Sequence, residues 1–131
     1  MFKVKRIYVE PEADDGYRVL VDRVWPRGMS KEKARVDLWM KEIGPSDGLR
    51  KWFGHDPKRW DEFQTRYREE LKTKAELIGQ LRELEKKHGT VSLIYSARDD
   101  QHNQAIALCG FLHKASCRKS RTIARPESTR R

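Results

Sequence analysis

Leu20-Val21-Asp22-Arg23-Val24-Trp25-Pro26-Arg27-Gly28 is the stretch whose reading decides the fold. Val19, Leu20, Val21 and Val24 form an apolar, mostly β-branched run, the composition of a buried strand. Asp22 and Arg23 interrupt that run. Pro26 and Gly28 end it and leave Arg27 in a tight loop. Charge inside a buried strand is costly unless it is paired. Asp22, Arg23 and the adjoining Trp25 are therefore expected either to brace the structure or to form part of a site.

Working outward, residues 17–24 read as the second strand and residues 3–9 as the first. The polar link Glu10 to Gly16 is shorter than the dozen or so residues of an ordinary parallel crossover, so an antiparallel hairpin is expected. Downstream, Ser30 is placed to cap a helical turn containing Lys31 and Ala34. Residues 36–43 read as a third strand or a half-turn, and 44–48 as a loop. Asp56 and Pro57 then open a helix as cap and first residue. Its apolar stripe is Trp60, Phe63, Tyr67 and Leu71, with Glu62, Arg66 and Glu70 spaced for ion pairs on the wet face. A further helix runs from about Lys74 to Lys87 along Leu77, Leu81 and Leu84, with Gly89 as its stop. Residues 91–97 read as a buried strand. Asp99 or Asp100 is the expected cap of a last helix whose face is Ala105, Leu108, Cys109 and Leu112. Strands alternating with helices predict a single small α/β layered domain over 1–117, with a partly parallel sheet flanked by helices.

The charge balance agrees with one domain and an appendage. Of 131 residues, 37% are charged, yet four Trp, four Tyr and four Phe supply large apolar bodies. That favours a folded, polar-surfaced globule over a disordered chain. The net charge is +9, and from Arg118 to Arg131 six basic residues stand against Glu127. Residues 118–131 are thus expected to be a basic mobile tail on a mildly basic body. Cys109 and Cys117 show neither zinc-ligand spacing nor a disulfide framework, which points to a reduced, cytoplasmic protein. No apolar run approaches the roughly 20 residues of a bilayer span, and the N-terminus lacks an apolar signal core. No membrane partner is expected, and a monomer is favoured.

In parallel sheets, ligands bind beyond the carboxyl ends of the strands. Three such ends are polar here: 25–28, 44–48 and 98–103. If their strands are parallel neighbours, Arg23, Arg27, Ser46, Asp99 and Asn103 meet in one cleft. Arg23 and Arg27 are fork-shaped donors for phosphate or carboxylate, with Lys31 close in sequence. The alternative is that Arg23 pairs with Asp22 or Asp37 and only holds the sheet together. His55 is a candidate acid or base, since an unperturbed imidazole changes charge near neutral pH, or it simply packs before a helix. Asp99 is the candidate carboxylate, or an N-cap. Ser46, His55 and Asp99 are the residue types of a hydrolytic triad, but no G-x-S-x-G elbow surrounds Ser46. Trp25 and Trp52, beside basic residues, are core or stacking platforms. Dinucleotide, P-loop and metal-quartet patterns are absent, so no cofactor or metal is expected.

The chain resembles the YeaO-like branch of a family called domain of unknown function 488. The resemblance rests on Leu20-Val21-Asp22-Arg23-x-Trp25-Pro26-Arg27-Gly28, Lys31, Asp37-x-Trp39 and Pro45-Ser46. It continues through Leu49-Arg50-Lys51-Trp52-Phe53-x-His55-Asp56-Pro57-x-Arg59-Trp60, Phe63, Tyr67-x-x-Glu70-Leu71, Leu93-x-Tyr95-x-Ala97-Arg98-Asp99 and Asn103-x-Ala105. It spans about residues 3–115. Gly44 and Arg98 depart from the usual Ala and Lys. The resemblance implies a small α/β domain and brings no agreed activity. Two functions remain open from the residues. One is an enzyme acting on a small anionic substrate in an Arg-lined cleft. The other is a nucleic-acid-associated binding module without catalysis.

Overall fold

The structure, a computed structural model, describes residues 1–120. Four strands form one sheet: β1 (Phe2–Arg6), β2 (Tyr17–Leu20), β3 (Leu38–Trp39) and β4 (Val91–Tyr95). Their order is β1-β4-β2-β3, and every pair is parallel. Five helices complete the α/β domain: α1 (Lys31–Ala34), α2 (Asp47–Phe53), α3 (Trp60–Lys72), α4 (Ala75–His88) and α5 (Gln104–Ser120).

The expected hairpin between the first two strands does not form, because β4 lies between them. Leu93 pairs with Val4 on one side and with Val19 on the other. The ten-residue link 7–16 has only to return along a strand of about 17 Å, and an extended chain of that length reaches about 33 Å. No helix is needed for the crossover; a single 3-10 turn, Ala13–Asp15, serves. Gly16 follows at φ +68°, and a Cβ there would lie 2.2 Å from the Thr90 carbonyl oxygen. Tyr17 N–H donates to that same oxygen at 3.0 Å, so the close approach is what starts β2.

Asp15, 3% exposed, ties the link to the sheet. Its carboxylate accepts from Arg18 at 2.5 Å, from Lys5 at 2.9 Å and from the Glu12 N–H at 3.0 Å. Its carbonyl accepts from Ser92 Oγ at 2.7 Å. Burial works to raise the Asp15 pKa, but these donors outweigh it and hold the carboxyl below its ordinary value. This is the buried ion pair of the sheet. It does not involve Arg23, which pairs with neither Asp22 nor Asp37; Asp37 instead accepts from the Arg18 backbone N–H at 2.8 Å.

Alternation along the strands creates two cores. Val19 and Leu93 face the larger one with Phe53, Phe63, Tyr67, Leu71, Leu81, Leu108 and Leu112, under α2 to α5. Leu20 and Ile94 face the smaller one with Ile7 and Ala34, under α1. On α3, Phe63, Tyr67 and Leu71 are buried as the spacing predicts. Arg66 pairs with Glu62 but not with Glu70, which turns inward to Ser46. The helix begins at Trp60, after a 3-10 turn over Pro57–Arg59 that Asp56 caps.

Several boundaries differ from the sequence reading, beginning with the first strand, which ends at Arg6 and not at residue 9. The second strand ends at Leu20, which leaves Asp22 and Arg23 beyond it. The third is only Leu38–Trp39, and α2 starts at Asp47, inside the stretch read as the 44–48 loop, where no helix was expected. The cap of α5 is Asn103, not Asp99 or Asp100: Asn103 Oδ1 accepts from the Ile106 N–H at 3.0 Å. Helix α5 continues to Ser120, so the segment read as tail is helical at 118–120; the rest of it, 121–131, lies outside the described residues.

Candidate anion-binding cleft

A cleft of about 290 Å³ opens at the carboxyl ends of β2 and β4. Its position follows from parallel topology, where strand ends splay and helix starts converge. Asp22, Arg23, Trp25 and Arg27 line it from the segment after β2, and Ser96 from the end of β4. Arg50 and Phe53 of α2, then His55, and Gln104 at the start of α5 complete the wall.

Asp22 is the buried polar residue of the floor. Ser96 Oγ donates to Asp22 Oδ2 at 2.5 Å, and Gln104 Nε2 donates to Asp22 Oδ1. The Trp39 indole fixes the backbone by donating to the Asp22 carbonyl at 2.7 Å. Burial pushes the Asp22 carboxyl above its ordinary pKa; the bonds from Ser96 and Gln104 only partly offset that.

Arg23 is held in place by an irregular segment. Its Nε donates to the Pro45 carbonyl at 2.6 Å and its Nη2 to the Gly44 carbonyl at 3.3 Å. Lys74 Nζ donates to the Glu42 and Gly44 carbonyls at 2.7 and 2.9 Å, and Tyr67 Oη to the Ile43 carbonyl at 2.6 Å. The four consecutive carbonyls of residues 42–45, at the end of the 3-10 turn Lys41–Ile43 and just beyond it, thus find side-chain donors. Burial, with Arg23 nearby, pulls the Lys74 pKa down.

The other two guanidiniums are freer. Arg50 reaches only Asp47, at 3.2 Å. Arg27 is exposed, and its side chain makes no hydrogen bond or ion pair among the described residues. His55 is also exposed, with a left-handed φ of 58°, a strain on the order of 1 kcal/mol for a non-glycine residue. That conformation, after Gly54 at φ 53°, turns the chain back so that His55 borders the cleft beside Phe53.

Four expected site residues stand elsewhere. Lys31 is exposed on α1, which packs on the opposite face of the sheet from α2. Ser46 caps α2 by accepting from the Leu49 N–H, and its hydroxyl donates to Glu70 at 2.6 Å. Asp99 accepts from the Gln101 and His102 N–H groups and faces His102 Nδ1 at 2.9 Å. Asn103 is the α5 cap and also donates to the Asp99 carbonyl. Ser46, His55 and Asp99 therefore do not form a triad. Arg50, Ser96 and Gln104 were not singled out by sequence reasoning. Arg50 stood within the Leu49–Phe53 motif, but no helix was assigned to carry it inward.

The family model described as the inactive DUF488-N3 subclade matches residues 1–130. The chain belongs to that family. YeaO of Escherichia coli is 40% identical over 108 residues, which cover 82% of this chain and 93% of YeaO. An uncharacterised protein of Mycobacterium tuberculosis is 50% identical over 82 residues, covering 63% of this chain and 69% of its own length. Its counterpart in Mycobacterium bovis matches to the same extent. No solved structure matches the chain. In this DUF488 member, no described helix is long and apolar enough to cross a membrane.

The cleft of this family member offers three guanidiniums, one buried carboxyl and one imidazole. Ser96 and Gln104 hold the Asp22 carboxyl; His55, on the same cleft, acts on it through charge, and no hydrogen bond joins the two among the described residues. Glu12, Asp14 and Asp15 bring carboxylates close together on the far side of the fold, but Lys3, Lys5 and Arg18 already neutralise them.

Proposed function

We propose that this chain is a binding module for a small anionic ligand, phosphate- or carboxylate-bearing, and that it does not turn that ligand over. The observation that carries the reading is Arg27. An exposed guanidinium with no partner among the described residues borders the same cleft as Arg23, Arg50 and His55. Guanidiniums recognise such oxyanions through paired charge-assisted hydrogen bonds. Arg23 anchors the wall, while Arg27 and Arg50 supply the contacts. Binding without chemistry is supported by the family's description as inactive and by the dispersal of Ser46, His55 and Asp99.

A nucleic-acid module is less well supported. Arg59 and Arg66 already lie over the Trp52 ring at 5.3 and 4.4 Å, and the Trp25 indole donates to the Met29 carbonyl. The Trp52 face is therefore no free platform for a base.

The test is calorimetric titration and thermal unfolding with inorganic phosphate. A ligand at 100 times its Kd adds about 2.7 kcal/mol to stability. Phosphate is expected to stabilise the parent, and Arg27→Met with Arg50→Met to abolish the effect. An unchanged response in the double variant would refute the site.

A further inference from the structure

Resting on the reading of the cleft as an anion site, we infer that its ligand is an aromatic acid: a flat ring with an acidic head at Arg27 and Arg50 and a hydroxyl or amino donor at Asp22. Three features of the lining call for three parts of one molecule.

The head follows from the rim. Arg27 has no protein partner among the described residues, and Arg50 has only an exposed contact to Asp47. The body follows from the wall. Val24 borders the cleft 64% exposed, among the most exposed large apolar side chains described. Beside it lie Trp25, Pro26, Pro45 and Ala97. Deeper in, Phe53 stacks on Phe63 at 4.3 Å and 22°, and Phe63 on Tyr67 at 5.7 Å and 27°. Phe53 and Phe63 both line the cleft, so its inner wall is aromatic carbon against which an inserted ring can pack. Inorganic phosphate alone would leave this wall in water, whereas ligand sites are built with apolar walls and a few placed polar groups.

The tip follows from the floor. An ionised carboxyl has about four acceptor positions and no donor. Ser96 and Gln104 fill one on each oxygen of Asp22. What remains in the cleft accepts hydrogen bonds only, so a second anionic end is repelled and a hydroxyl or amino group is welcome. A single-ring acid fits about 290 Å³; a polymer strand, anionic along its length, meets Asp22 unfavourably.

Titration calorimetry on the full chain, with acetate, benzoate, 3- and 4-hydroxybenzoate and inorganic phosphate, separates the parts. Benzoate is expected to bind at least 10-fold more tightly than acetate, and one hydroxybenzoate more tightly again. Val24→Ser, an exposed change that leaves the fold intact, should shrink the benzoate-to-acetate ratio. Asp22→Asn should erase the advantage of the hydroxyl while benzoate still binds. Equal binding of acetate and the aromatic acids, still dependent on Arg27, would overturn this inference and leave the anion site standing. Aromatic binding indifferent to Arg27→Met, or no binding of any acid or phosphate, would overturn both.

Discussion

Replacing Arg23 and Arg27 separately by Met distinguishes a brace from a ligand contact. The two residues stand four apart and both border the cleft, yet their surroundings differ. Arg23 donates to the carbonyls of Gly44 and Pro45, both buried residues. Lys74 also reaches Gly44, so truncation leaves one carbonyl, that of Pro45, without a donor. An orphaned buried acceptor costs about 1–3 kcal/mol. Met keeps the Cβ–Cγ stem that lies beside Gly44, so the cost is that of the lost donors. Arg27 has no such partner, so its loss falls within the ~0.5 kcal/mol of a surface change. Urea unfolding at constant m-value should therefore show Arg23→Met weaker by 1–3 kcal/mol and Arg27→Met near the parent. Phosphate-induced stabilisation should behave in the opposite sense, failing in Arg27→Met. If Arg27→Met unfolds as easily as Arg23→Met and still responds to phosphate like the parent, the loop is a structural brace and the proposed cleft chemistry is wrong.

Further expectations concern the supports of the cleft. Tyr67→Phe removes the donor to the Ile43 carbonyl inside a fully buried site and should cost about 1–3 kcal/mol in urea; no loss would mean that the carbonyl is otherwise satisfied. Leu71→Ala, at a side chain 1% exposed, should cost about 2–5 kcal/mol by the same assay, and a value near zero would contradict its place in the core. Asn103→Ala removes the α5 cap and should cost about 0.5–2 kcal/mol, read together with loss of helical circular dichroism near the cleft end. Asp22 should show in the pH dependence of stability. Its folded pKa is raised, so its contribution is full below the ordinary 3.8 and is lost as pH rises through the folded value. The stability of the parent relative to Asp22→Asn should therefore fall across that window; a constant or rising difference would contradict the buried, desolvated carboxyl.

Much of the fold was legible locally. The stripe Phe63, Tyr67 and Leu71 repeats at helical spacing, and those residues are buried on α3. Ala105, Leu108 and Leu112 behave likewise on α5. The apolar run from Val91 becomes the buried central strand β4. Helix α2 escaped notice because it is only seven residues long and its cap Ser46 sits inside a Gly- and Pro-rich stretch, although Leu49, Trp52 and Phe53 stand at helical spacing. Asp99 and Asn103 are both capping types four apart in the chain. Only the fold shows that Asp99 caps the turn and Asn103 the helix.

The amino-acid sequence by itself determined the type of the longer elements, the α/β class, the approximate place of the cleft after the second strand, and Arg27 as an exposed charge. Period, caps and breakers are properties of neighbours in the chain, and they survive folding because each acts within a few residues. The tertiary structure decided strand order and the partners of the charges that border the cleft. β4, some seventy residues after β2, inserts between β1 and β2 and turns an expected hairpin into a parallel sheet. That insertion sends Asp22 to Ser96 and Gln104, and Arg23 to the carbonyls of residues 44 and 45. A charge takes whichever partner the fold brings within about 3 Å, and separation along the chain does not determine which one that is.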